Sequence, residues 1–359
     1  MEKRRLPTVK QNEEIGTKRA LRHWHPVLLA KDLKNKPVGV KVLGEPIVLF
    51  RTPNGVGAVH DRCPHRGAKL SAGHVENGKV VCPYHLWCFD KEGKGQSPVN
   101  PKMRPFTQAF DVAEHAGLFW VRAKGSSASL PTIDTLGLPY IDHHAGVIDA
   151  PFYVVVDNFT EIEHSPTNHF VFAFDKTGIR EVEPHVEIKK DSILIRYEGP
   201  QRNVPWWTFA SMVGLKPGTK HIIEFEVRFN PMQWIYNFYW EDPKTGQRLP
   251  QRILQHAFIT PRDDGSTAAF LQFYATLPIM KYRALRPAIK RIFMTLADHE
   301  FNLDKRICEN VAEMGPQPGF DGLQLGKFDR VLRQTRKFIS EIYDGPPEAE
   351  RVEVALTGE

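Results

Sequence analysis

Between Trp24 and about Lys124 the hydrophobic residues fall in short runs that alternate with polar or turn-forming ones. The stretch VGVKVLGEPIVLFRTPNGVGAVH interleaves Val, Leu and Ile with Gly44, Asn54 and Gly55, and HAGLFWVRA closes the region with a further apolar run. A period of two, broken every few residues by turn formers, predicts short strands joined by tight turns, hence a small all-β unit. The segment KGSSASLPT then interrupts the pattern and reads as a linker. Past it, strand-like runs at Val186–Tyr197, His221–Phe229, Gln233–Trp240 and Ala268–Thr276 are segregated from helical candidates at Asn158–His164 and Pro287–Met314. That order predicts an α+β domain with an antiparallel sheet rather than alternating βαβ units. The expected layout is a leader over 1–22, a small all-β domain over 23–126 and a larger α+β domain over 127–359.

Composition adds limits. The 359 residues, 41% hydrophobic and 25% charged, suffice for about two domains and exclude wholesale disorder. The opening MEKRRLPTVKQNEEIGTKRALR is basic but has no apolar core and contains Glu2, Glu13 and Glu14, so it reads as a solvated leader rather than a signal peptide. The apolar run Ala268–Met280 is interrupted by Gln272 and Pro278 and falls short of the roughly 18–20 residues a membrane span needs. Net charge is +6, but Lys and Arg are dispersed and no nucleic-acid motif accompanies them. The basicity, including Arg283, Arg286 and Lys290, reads as a solvated surface or a docking face for an acidic redox partner.

Cys63, Cys82, Cys88 and Cys308 are too few and too unevenly spaced for a secreted disulfide scaffold. Cofactor ligation or free thiols in a reducing, cytoplasmic compartment remain. Cys63-Pro64-His65 and, sixteen residues later, Cys82-Pro83-Tyr84-His85 each offer one thiolate and one imidazole. A zinc finger usually pairs its cysteines in one arm and its histidines in another; mixed arms suit two metal atoms, each arm giving one ligand to each, as in a Rieske centre. The rival is a mononuclear Cys2His2 zinc site. Pro64, Pro83, Gly67 and Gly73 fit tight ligand loops, and Cys88 reads as a buried structural thiol beside Trp87 and Phe89.

A second set of ligands lies in Asp157–His169. Glu161 and His164, three apart, share one face of a helix, whereas His164 and His169 would stand about 140° apart on an unbroken one. Pro166 disfavours helical geometry before it, so the helix is expected to end near Ser165 and let His169 swing back. Two imidazoles leave a metal site incomplete, and non-haem Fe(II) chemistry with O2 uses a carboxylate as third ligand. Asp304, 135 residues after His169, is one candidate; Asp298, six residues earlier and about 240° round a helix, is the other. Trp234, Tyr236, Phe238 and Trp240 occupy alternate positions of one strand and face either a core or a pocket; Trp206, Trp207 and Phe209 are further pocket candidates.

The wording DRCPHRGAKLSAGHVENGKVVCPYHLW resembles Rieske domains well beyond its four ligands. With Glu161, His164, His169 and the F-x-x-D-x-x-I-x-E segment around Asp304, the chain resembles the catalytic alpha subunit of Rieske non-haem iron oxygenases from about Trp24 to Ile342. The resemblance implies that Cys63, His65, Cys82 and His85 hold one [2Fe–2S] cluster in an N-terminal Rieske domain, and that His164, His169 and Asp304 hold one mononuclear Fe(II). It implies a homotrimer, because cluster and iron of one chain are too far apart for electron transfer while a neighbour's cluster lies close. The family usually has Asp where this chain has Glu161, linking a cluster histidine of one subunit to an iron histidine of the next; Glu161 is expected to serve as that bridge. Leu86 stands where the family commonly has Gly, and Asn158 is expected at the pocket. Electrons would come from a separate reductase or ferredoxin, since the chain has no GxGxxG fingerprint and no ferredoxin cysteine run. The modest length points to the single-subunit branch, which hydroxylates or oxidatively demethylates small aromatic or apolar molecules with O2. A ring cis-dihydroxylating dioxygenase and a Rieske electron carrier without oxygen chemistry are the alternatives. A cytoplasmic setting is expected, or the plastid stroma in a photosynthetic eukaryote.

Overall fold

The computed structural model describes residues 19–169, 173–202, 219–229, 232–315, 324 and 326–343. The chain divides into two compact units, in the main at Leu130, inside the KGSSASLPT segment. The first unit is built from β1 (His25–Leu29), β2 (Val38–Val42), β3 (Glu45–Thr52), β4 (Gly55–His60), β5 (His74–Glu76), β6 (Lys79–Val81), β7 (Cys88–Phe89), β8 (Gly95–Gln96), β9 (Phe110–His115) and β10 (Leu118–Ala123). They form three antiparallel sheets, β1–β10–β9, β2–β3–β4 and β5–β6–β7–β8. Three of the hairpins close with the pairs Leu43-Gly44, Asn77-Gly78 and Ala116-Gly117, each with both residues at positive φ. That two-residue turn matches the twist of the strands it joins, which is why the register there is tight.

Successive residues of β3 point to opposite faces and serve two cores. Ile47 and Leu49 pack with Leu21, Val27 and Phe119, while Val48 and Phe50 pack with Cys63, Cys82, Trp87 and Phe89. Each fully buried large side chain is worth about 1.5–3 kcal/mol, so the thiols of Cys63 and Cys82 sit on a stiff apolar floor.

The second unit is a seven-stranded sheet of β11 (Tyr140–Ile148), β12 (His185–Ile188), β13 (Ser192–Pro200), β14 (Lys220–Phe229), β15 (Met232–Glu241), β16 (Arg248–Asp263) and β17 (Ser266–Thr276). Its order is β11–β17–β16–β15–β14–β13–β12, a meander closed at one edge by the first strand. The helices are α1 (Phe152–Thr160), α2 (Ser165–Asn168), α3 (Arg286–Glu313) and α4 (Leu332–Tyr343). The α+β expectation holds, with two corrections of detail. The run Val186–Tyr197 is a hairpin of two strands, split at Lys189–Asp191, and β11 and β16 were not anticipated because polar groups such as His143, His144 and Arg252 break their alternation. No helix among the described residues is long and apolar enough to cross a membrane.

Candidate metal centres

Both ligand loops of the first unit share one backbone design. The Gly67 N–H donates to the Cys63 carbonyl and the Cys63 N–H to the Ala68 carbonyl, each at 2.8 Å. In the second loop the Leu86 N–H donates to the Cys82 carbonyl at 3.2 Å and the Cys82 N–H to the Trp87 carbonyl at 2.8 Å. The fourth residue after each cysteine turns through the left-handed region, Gly67 at φ +75° and Leu86 at φ +57°. Leu86 therefore adopts a glycine's backbone without being one. Gly73, which follows the first loop, has no such freedom to give: a Cβ there would lie 1.8 Å from the Val81 carbonyl oxygen. Asp61 braces the same loop by accepting the backbone N–H and the hydroxyl of Ser71, both at 2.6 Å.

These loops bring the four expected cluster ligands together. Cys63 and Cys82 are buried. The His65 ring stacks on Trp87 with centroids 4.5 Å apart, and its centroid is 4.6 Å from that of His85. His65 Nδ1 is buried with no hydrogen-bond partner. Leaving such an atom unsatisfied costs about 1–3 kcal/mol, so the ring is aimed at something the polypeptide does not supply, which is what a metal ligand requires. Burial and the neighbouring Cys82 push the Cys63 thiol up to about 11; a metal must displace that proton to bind sulfur. Cys88 is half-buried rather than buried, with its sulfur 3.8 Å from Gln96 Oε1.

In the second unit the local structure departs from the expected helix. Helix α1 lies earlier, ends at Thr160, and leaves Glu161 extended at φ −104° and ψ 161°. Glu161 and His164 meet all the same, because the Glu161 carboxylate folds over the next turn. It accepts the backbone N–H of Glu163 and of His164, the latter at 3.2 Å, and contacts His164 Nδ1. Pro166 starts a helix instead of ending one: it lies in the first turn of α2, where a missing N–H costs nothing. His164 and His169 bracket this single turn, which swings both imidazoles to one point, with Nε2 atoms 3.0 Å apart.

Asp304, on α3, completes the set. Its Oδ1 lies 3.4 Å from His164 Nε2 and 3.1 Å from His169 Nε2, and one donor atom from each of the three residues falls within 4.8 Å of the others. Asp298 points elsewhere and contacts His144 Nδ1 at 2.6 Å. Reading the sequence missed Glu300, which is 5% exposed and places Oε2 2.7 Å from His169 Nδ1. The available signal was its spacing of four from Asp304 on one helix. Burial lowers both histidines, yet the carboxylates prevail: Asp304 and Glu161 hold His164 at about 9, and Asp304 and Glu300 hold His169 at about 10. The two histidines keep Asp304 well below the usual carboxylate range despite its burial. Two imidazoles and a carboxylate crowded this closely could hold a divalent cation, which would displace their protons.

A cavity of about 100 Å³ opens on this triad, with Phe159, Ile223, Tyr236, Phe238, Phe273 and Phe301 among its walls. The aromatic face of β15 thus divides. Tyr236 and Phe238 line the cavity, while Trp234 and Trp240 are buried in the core and donate to Thr160 Oγ1 at 3.2 Å and Gln201 Oε1 at 2.6 Å. Asn158 also lines it, as expected, and its Oδ1 is buried without a hydrogen-bond partner. Glu161 borders both this cavity and an outer recess of about 330 Å³ that it shares with Asp157, Glu163 and Asp329. Trp206, Trp207 and Phe209 lie outside the described residues.

The Rieske [2Fe-2S] domain family matches residues 23–113. The chain is 28% identical over 287 residues to the 4beta-methylsterol monooxygenase of Methylococcus capsulatus, an alignment covering 75% of this chain and 71% of that protein. It is 28% identical over 197 residues to the vanillate O-demethylase oxygenase subunit of a Pseudomonas species, covering 52% of this chain and about half (55%) of that one. In fold it is similar to dicamba monooxygenase bound to 3,6-dichlorosalicylic acid, with a TM-score of 0.74, 22% identity, and coverage of 90% of this chain and 98% of that one.

Proposed function

We propose that the chain is a catalytic subunit of the Rieske non-haem iron oxygenases, on their demethylase and monooxygenase side, and that it places one oxygen atom of O2 into a small apolar or aromatic molecule. Hydroxylation or oxidative O- or N-demethylation is the reaction type. Its cofactors are one [2Fe–2S] cluster and one mononuclear iron. Cys63, His65, Cys82 and His85 would hold the first, the ligand set of a Rieske centre, and His164, His169 and Asp304 the second, two imidazoles and a carboxylate that leave positions open. When bound, the cluster supplies electrons singly and the iron activates O2.

The rest is the work of the protein's own residues. Glu161 takes the Nδ1 side of His164 and so leaves Nε2 free for ligation. The aromatic walls exclude water and receive an apolar body, and the unpartnered Asn158 Oδ1 can accept one hydrogen bond from it. Glu161, reaching both cavity and outer recess, is suited to couple a neighbouring subunit's cluster to His164 in a homotrimer. A separate reductase or ferredoxin supplies the electrons, and four cysteines that form no disulfide fit a cytoplasmic setting.

The observation that carries this reading is the convergence of His164, His169 and Asp304 on the wall of an apolar cavity, for which an electron carrier has no use. Iron and acid-labile sulfide analysis, with EPR after dithionite reduction, tests it. About three iron and two sulfide per chain are expected. About two of each, even after Fe(II) is added back, would leave an electron carrier, and zinc without sulfide would remove the Rieske assignment too.

A further inference from the structure

We infer that Glu300 is the positioning residue for His169, a buried carboxylate that fixes which imidazole nitrogen faces the iron. The inference rests on the iron-site reading above and adds a residue to it. Glu300 Oε2 lies 2.7 Å from His169 Nδ1, and on the far side of the same ring Nε2 lies 3.1 Å from Asp304 Oδ1 and 3.0 Å from His164 Nε2. A neutral imidazole has one N–H and one lone pair. A proton on Nδ1, the nitrogen that faces Glu300 Oε2, leaves the lone pair on Nε2, directed at the metal position. The ring cannot turn over without losing both contacts.

The two ligand histidines are therefore each held by a carboxylate, by different means. Glu161 is on an extended residue beside an outer recess, so its hold on His164 is shared with whatever occupies that recess. Glu300 is on α3, 5% exposed, one turn before Asp304. Four residues along a helix return to within about 40° of the same face, so one rigid element carries both the third ligand and the anchor of the second. The pairing makes the second ligand pre-aimed before metal arrives.

The test is an anaerobic titration of cluster-loaded, iron-free protein with Fe(II), and with Co(II) to read the ligand field by its visible bands. Wild type, Glu300→Gln, Glu300→Leu and, as a control at an exposed position on the same helix, Glu313→Gln are compared, with melting temperature and cluster EPR recorded for each. Loss of such an outer carboxylate weakens metal binding by about 10–100-fold. Glu300→Leu is expected to raise the Fe(II) Kd by that factor and alter the Co(II) bands, Glu300→Gln to fall between, and Glu313→Gln to leave both unchanged. Wild-type Kd and bands in Glu300→Gln and Glu300→Leu would overturn the inference. If Glu300→Leu does not fold, the near-isosteric Glu300→Gln decides alone by the same readouts. Wild type that takes up no Fe(II), or takes it up equally after His164→Ala, would overturn the iron-site reading itself.

Discussion

The two proposed metal centres are held by opposite means. At the proposed cluster site, all four candidate ligands lie within 23 residues, and each loop is closed by its own backbone hydrogen bonds over an apolar floor. At the proposed iron site, two candidate ligands bracket the single turn of α2 and the third comes from α3, 135 residues after His169; carboxylates hold the imidazoles. A centre closed locally depends on short-range geometry. One assembled from distant elements depends on ion pairs and on the packing of the whole unit.

The largest expected effect separates the two outright. Asp304→Ala or His164→Ala should lower mononuclear iron and turnover by at least about 100-fold while the reduced-cluster EPR signal stays intact. Cys82→Ser should do the reverse, removing the cluster and leaving Co(II) binding at the triad. Asp298→Ala, which removes only the partner of His144, should retain iron. Metal analysis of the four purified variants checks all of this, and loss of both metals from any single ligand variant would mean the centres are not independently built.

The same contrast decides what the sequence revealed. The cluster loops were legible because their determinants are local: two mixed Cys/His arms, two prolines and a glycine at a left-handed turn. The α+β class and α3 followed from periodicity, α3 running Arg286–Glu313 against an expected 287–314. His164 and His169 were paired on their spacing around Pro166, and Asp304 was preferred over Asp298 on the resemblance of its segment; the local route was partly wrong. Phe152–Val156 is rich in β-branched Val yet helical, because burial of Val154, Val155 and Val156 outweighs their strand propensity. Pro166 acts at a helix start, a position as compatible with its ring as the end that was expected. Glu300 stayed invisible because a buried acid and a solvated helix acid look alike until the fold places His169 against one of them.

Titration gives the next effect, different in each unit. With no metal bound, His164 and His169 are raised to about 9 and 10, above their ordinary 6.5. The folded state then binds more protons than the unfolded one, so this stability is full below about pH 6.5 and is lost as pH rises through 9 and 10. In the first unit, burial lowers His25 to about 4, which gives stability present above about 6.5 and lost as pH falls toward 4. Iron-free, cluster-loaded protein should therefore lose a few kcal/mol at most between pH 7 and 9, and Fe(II) should abolish most of that loss. Thermal melts at the two pH values, with and without Fe(II), read it directly; parallel shifts in both states would show that the histidines carry no extra protons.

The smallest effect lies within the cluster centre, where the two loops place different residues at the same left-handed position. Gly67 and Leu86 occupy equivalent turns, but a leucine in the left-handed region costs roughly 1–2 kcal/mol. Replacing it by glycine returns part of this as backbone entropy, about 0.5–1 kcal/mol. The Leu86 side chain is 57% exposed, so little apolar burial is forfeited. Leu86→Gly should thus stabilise the protein by up to about 1 kcal/mol and leave the cluster EPR signal unchanged. Gly67→Ala should destabilise by a similar amount, since its Cβ would meet only the flexible Arg62 side chain at 3.1 Å and the cost is mainly backbone strain. Melting followed by cluster absorbance compares the pair. Opposite signs would establish the loops as equivalent turns, whereas destabilisation by Leu86→Gly would mean that the leucine makes a contact worth more than its strain.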